Sequence, residues 1–153
     1  MKGNYLEQTG RIVRSFNKLP KKNVSKKISE KMKDDYHHFF QDCFHLKDWI
    51  INDDELSNQI KNEVENFINT SKYLKHVADI ANASKHLKLT RYIRVDEDID
   101  FEVLDVISGD KRKEMFTVKS KSNSFGGNDL PINALKEWNQ FLDRHGLGMF
   151  GFK

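Results

Sequence analysis

Cysteine is almost missing from this chain: Cys43 is the only one in 153 residues. A single thiol excludes an intramolecular disulfide framework and a cysteine-based zinc cage. Long apolar runs are missing too. No stretch suits a bilayer span, and the start, Met1-Lys-Gly-Asn-Tyr-Leu6, lacks a signal-peptide core. The cytoplasm is therefore the expected compartment. The glycines form no phosphate-cradling loop and no dinucleotide fingerprint, since Gly126-Gly127 has no strand–helix context, and there is no serine elbow. Proline occurs twice. Leu19-Pro20 ends one helical pattern and Pro131 is tolerated in the first turn of another. Acidic residues are absent between Glu7 and Glu30, an interval that holds Arg11, Arg14, Lys18, Lys21, Lys22, Lys26 and Lys27. Such a block can track a phosphate backbone, or it can be a solvated basic approach to a helix.

What remains is a small, highly charged chain: 37% hydrophobic and 32% charged, with a net charge of +3. Eleven Phe and two Trp still supply a core for one domain spanning 1–153. Apolar periodicity predicts a short helix over 4–18, inside the basic N-terminal segment 1–22, with Tyr5, Leu6, Ile12, Val13 and Phe16 inward. A long helix is expected from about 25 to 52, where Met32, Tyr36, Phe39, Cys43, Leu46 and Ile50 recur at three and four. Cys43 on that apolar face reads as a buried, inert thiol. Further helices are expected over 54–70 and 72–89, completing a three-helix core over 25–89. The region 92–119 turns β-branched and predicts a hairpin, with Tyr92–Val95 as a candidate additional strand before it. Residues 120–128 read as a loop. The last helix is expected over 131–145, with Ile132, Leu135, Trp138 and Leu142 inward and Gly146 as its stop. The apolar tail after it should dock. The expected fold is mainly α: an antiparallel bundle of four to five helices with a small β-hairpin before the C-terminal helix.

Chemistry concentrates on two helices. Asp79, Asn82 and His86 fall at i, i+3 and i+7, on the face expected to lie opposite the apolar one. His45 and Asp48 lie off the core stripe of the long helix. If those faces converge they make a polar cleft; otherwise each residue is simply solvated. Trp49 also falls off the stripe, and a tryptophan there packs under the N-terminal segment or at a subunit interface. His45, Asp48, Asp79 and His86 are suitable metal ligands by type, but no HxxxH or HExxH spacing is present, and no cofactor is expected.

The run Asn82-Ala-Ser-Lys-His86 inside a helical bundle resembles the signature of HEPN domains, many of them metal-independent ribonucleases of bacterial and archaeal toxin and phage-defence systems. The family pattern is Arg, a polar residue that is often Asn, three variable residues, then His. Asn82 and His86 match; the arginine position is Ala81. The resemblance covers about 25–90 and the last helix, and His45-Leu-Lys-Asp-Trp49 with Lys85-His86 looks like uncharacterised bacterial proteins of the same build. It implies a homodimer that holds RNA between its motif helices, with His86 as general acid or base and Asn82 as a hydrogen-bonding partner. Asp79, His45 and Asp48 would complete the polar set. Arg11, Arg14, Lys21, Lys22 and Lys85 would meet phosphate, and Trp49 would lie at the interface. Without the arginine, stabilisation worth ~3–4 kcal/mol in the transition state is lacking, and Lys85 is a poorer match to phosphate. The resemblance thus leads to an atypical ribonuclease or a degenerate RNA binder. The alternative is a non-catalytic protein-interaction module of a defence or regulatory operon.

Overall fold

The structure is a computed structural model and describes residues 3–20, 30–85, 100–108, 111–119, 124–126 and 128–148. Among these, the chain order is α1 (Tyr5–Asn17), α2 (Glu30–Ile51), α3 (Asn58–Thr70), α4 (Leu74–Lys85), β1 (Asp100–Ser108), β2 (Lys111–Lys119), β3 (Ser124–Gly126) and α5 (Asp129–Arg144). The fold is mainly helical, as the periodicity predicts. No described helix is long and apolar enough to cross a membrane. The expected start of the long helix at 25–29, the candidate strand Tyr92–Val95 and residues 86–89 of the fourth helix lie outside the described residues.

Helix α2 is the hub and touches the other four helices. Its buried side chains are Tyr36, Phe39, Phe40, Cys43, Leu46 and Ile50, the three-and-four pattern of the sequence with Phe40 added. Trp138 of α5 is fully buried against it, and its indole N–H donates to the Cys43 carbonyl at 3.0 Å. A buried tryptophan needs such an acceptor, because its ring N–H has lost water.

The short helices differ in detail from expectation. On α1, Gln8 and Thr9 are buried while Leu6 is exposed. Each polar side chain has a carbonyl to serve: Gln8 Nε2 donates to Asp42 O at 2.8 Å, and Thr9 Oγ1 to Leu6 O at 2.8 Å. Helix α3 begins at Asn58, four residues later than predicted. Asp53 turns the chain first, its Oδ1 accepting from Glu55 N–H at 3.0 Å, and Ser57 is the true cap, its hydroxyl accepting from Ile60 N–H at 3.4 Å. Helix α5 begins at Asp129, and Ile132, expected inward, is exposed. The buried stripe runs instead through Leu130, Ala134, Leu135, Trp138, Phe141 and Leu142.

The end of α5 is as expected. Gly146 takes φ +71°, where L side chains are strained, and Leu147 N–H donates to Leu142 O at 2.7 Å. This Schellman turn delivers Leu147 to the core, and the Tyr5 hydroxyl donates to Gly148 O at 3.1 Å. The first part of the tail is docked; residues 149–153 lie outside the described ones.

β1 and β2 pair antiparallel, with Asp100 opposite Lys119 and Ser108 opposite Lys111. The loop reading of 120–128 needs correction. Ser124–Gly126 forms β3, antiparallel to β2, so the third strand of the sheet follows the hairpin. Phe125 is what holds it there. Its ring centroid lies 5.8 Å from Tyr73 and 5.0 Å from His76, at the start of α4. A bulky aromatic anchor against the Tyr73 and His76 rings outweighs the loop signal of Gly126-Gly127, and it docks a sheet that would be unstable alone.

Candidate functional site

The polar face predicted for α4 is enclosed. Asp79 is fully buried and His76, three residues earlier on the same side, is 4% exposed. Periodicity separates apolar from polar positions, but it cannot see a second layer. Helix α4 contacts α2, α3 and α5, and Phe125 lies over His76. Asp79 is therefore no solvated member of a surface cleft, and this corrects the expected placement. Asn82 is half-buried near the end of α4, Lys85 closes the helix, and His86 lies outside the described residues. Ala81, at the arginine position of the HEPN pattern, is 3% exposed. His45 and Asp48 are exposed on α2, in a setting quite unlike that of Asp79. Asp79 is thus buried while His45 and Asp48 face solvent, and His86, the remaining member of that set, is not among the described residues. Among the described residues no group of three or more His, Cys, Asp or Glu is placed to hold a metal. Cys43 is fully buried and burial pushes its thiol pKa up, which makes it a poor nucleophile.

Trp49 is half-buried within its own chain, packed by the N-terminal segment, one of the two settings its off-core position offered. The Arg11 guanidinium lies 5.0 Å from its ring centroid. Gly3 passes so close that an added Cβ would sit 2.2 Å from the indole. The N-terminal segment thus supplies the partner that an off-core tryptophan needs.

Helix α1 presents a cationic row. Arg11, Arg14 and Lys18 are all exposed, at i, i+3 and i+7, and so share a face. Arg11 also donates to Gln8 Oε1 at 3.4 Å, which together with Trp49 holds its guanidinium in place. Lys21 and Lys22 continue the basic run in sequence but lie outside the described residues. Beside Lys18 is a small pocket of about 190 Å³ whose carboxylates have partners. Asp42 accepts from the Ser15 hydroxyl, and Asp35 pairs with Lys31 at 2.8 Å.

A larger groove, about 660 Å³, lies where the end of α3, the start of α4 and the second half of α5 meet. It was not legible in the sequence, because its residues are drawn from α3, the link that follows it and the distant α5. Glu137 forms one wall. Its Oε1 accepts from Tyr73 N–H at 3.0 Å and Leu74 N–H at 2.8 Å, serving the otherwise unpaired first N–H groups of α4. Burial raises the Glu137 pKa, an effect opposed by those hydrogen bonds and by Lys75. Glu63 lies opposite. Its Oε2 is 2.9 Å from His145 Nε2, off the line of an N–H bond, and its Oε1 accepts from Gln59 at 3.3 Å. Lys72, Arg144, Phe67 and Phe141 also line the groove.

Comparison with known proteins finds no matching family model, no matching curated protein and no matching solved structure.

Proposed function

We propose that this protein is a HEPN-like helical bundle that associates with RNA and does not cut it. The observation that carries this reading is the exposed row Arg11, Arg14 and Lys18 on α1, in an interval without acidic residues. Neutralising phosphates with such a row releases counterions, which makes binding favourable and salt-dependent. Arg11 is held by its indole platform, so less side-chain freedom is lost when it meets a phosphate. Two observations weigh against catalysis. Asp79 is sealed in the bundle, and position 81, where the family carries its arginine, is an enclosed alanine. A guanidinium there would be a buried charge, which is costly unless paired.

The ribonuclease reading retains one supporting observation: Asn82 is still partly accessible, and His86 follows it four positions later in the sequence. The dimer implied by the resemblance is part of the proposal, through the motif end of α4, because Trp49 is already covered. A place in a cytoplasmic defence or toxin-type system follows from the resemblance alone.

Fluorescence anisotropy of a labelled single-stranded RNA, followed against salt, tests the proposal. Wild type should bind with a negative slope of log affinity on log salt. The triple variant Arg11→Ala, Arg14→Ala, Lys18→Ala should flatten that slope by about 2, at ~0.7 per lost phosphate contact. The RNA should stay intact in magnesium and in EDTA. Cleavage that persists in EDTA and disappears in His86→Ala would instead establish the ribonuclease. A folded protein that binds no RNA leaves the protein-interaction module. Sedimentation velocity at micromolar concentrations checks the dimer.

A further inference from the structure

The groove between α3, α4 and α5 has an imbalance of commitments. Both of its carboxylates are engaged. Glu63 Oε1 accepts from Gln59 while its Oε2 lies beside His145 without a hydrogen bond, and Glu137 holds the backbone N–H groups that open α4. Its two cations are not neutralised by any carboxylate among the described residues. The Arg144 guanidinium lies 5.7 Å from the Phe67 ring centroid, and the Lys72 ammonium lies 5.3 Å from that of Tyr73. Ring contact steadies a cation without using up its N–H donors. A guanidinium laid on a ring still offers its edge, the geometry that grips a phosphate or carboxylate through two parallel hydrogen bonds.

From this we infer that the groove is a binding site for a small phosphomonoester carrying an apolar or planar group. Arg144 would grip the phosphate by its fork and Lys72 would add a point charge, while the Phe67 side of the groove receives the organic part. A phosphate has oxygens enough to take the Arg144 fork and the Lys72 ammonium together, whereas a carboxylate gripped by the fork has spent both of its own. The volume, about 660 Å³, is far more than a bare phosphate needs and falls within the ~300–1,000 Å³ of small-molecule sites. The inference is independent of RNA binding by α1, which lies on other residues.

Isothermal titration with phenyl phosphate tests it, with benzoate, phenol and inorganic phosphate as comparison ligands. Phenyl phosphate should bind at least about tenfold more tightly than each of the three. Arg144→Ala and Lys72→Ala should each weaken it about tenfold or more, as expected for loss of a charge-assisted contact, and Arg144→Lys should fall between. Arg144 and Lys72 are exposed, so the fold should survive, and an unchanged melting temperature confirms that the loss is local. Arg11→Ala should leave the titration unchanged. The inference is overturned by absence of binding at millimolar phenyl phosphate. It is overturned equally if phenol binds as well as phenyl phosphate, or if Arg144→Ala binds like wild type.

Discussion

The Glu137 carboxylate accepts a hydrogen bond from the Leu74 backbone N–H at 2.8 Å, across 63 positions of sequence. A side chain of the last helix thereby starts the fourth, doing the work that a local Ser or Asp does elsewhere.

This cap can be removed. Glu137→Ala should cost about 1–3 kcal/mol, because the first N–H groups of α4 lose their acceptor in a half-buried place. Urea unfolding measures it. Glu137 has a raised folded pKa, so between the ordinary carboxylate pKa and the raised one the folded state binds more protons than the unfolded. Its contribution therefore declines as pH rises through that window. Glu137→Gln should abolish that decline.

Asp53 anchors α1 to the α2–α3 turn. It is 3% exposed, and its Oδ2 accepts from Tyr5 N–H at 2.9 Å. Asp53→Ala should destabilise the protein by about 1–3 kcal/mol by leaving the Tyr5 and Glu55 N–H groups unpaired. Hydrogen exchange should accelerate first in α1. Uniform acceleration across all helices would show that α1 is not a separately opening unit.

His76 makes the fold acid-sensitive. Burial, aided by Lys75, lowers its pKa to about 4, and its Nδ1 has no hydrogen-bond partner. The unfolded imidazole titrates near its ordinary ~6.5. Between those values the unfolded state binds the extra proton, so stability is full above about 6.5 and falls as pH drops toward 4. Denaturant midpoints from pH 4 to 8 should show this loss, and His76→Leu should flatten it. A variant with the wild-type profile would assign the sensitivity to another group.

Gly3 and Trp49 make a steric prediction. A methyl group at position 3 cannot fit 2.2 Å from the indole, so Gly3→Ala should lift the N-terminal segment off the ring. Trp49 fluorescence should shift to the red while Trp138, buried at 0% exposure, keeps its emission. The Trp49→Phe variant isolates the Trp138 signal. No shift in Gly3→Ala would mean that the segment adjusts without uncovering Trp49.

The helices were legible because their signals are local. Tyr36, Phe39, Cys43, Leu46 and Ile50 mark a buried stripe on α2 by spacing alone, and Gly146 marks the stop of α5 because glycine takes a positive φ without strain. The start of α3 was misplaced because Asp53 and Ser57 are both good caps by type. Only their hydrogen bonds tell which one turns the chain and which one begins the helix.

The candidate sites were legible only where they belong to one element. The cationic row on α1 needs nothing but helical spacing, so the sequence by itself determined it, along with the mainly helical fold class and the buried position of Cys43. Tertiary structure decided the rest. It enclosed Asp79 and His76, because a helix face that looks polar can still meet a neighbour. It gave Trp49 a cover from its own chain, made β3 around Phe125, and brought Glu63, Lys72, Glu137 and Arg144 to one groove. Period reports the direction of a side chain around its own axis. What stands in that direction depends on distant segments, and no local spacing encodes it.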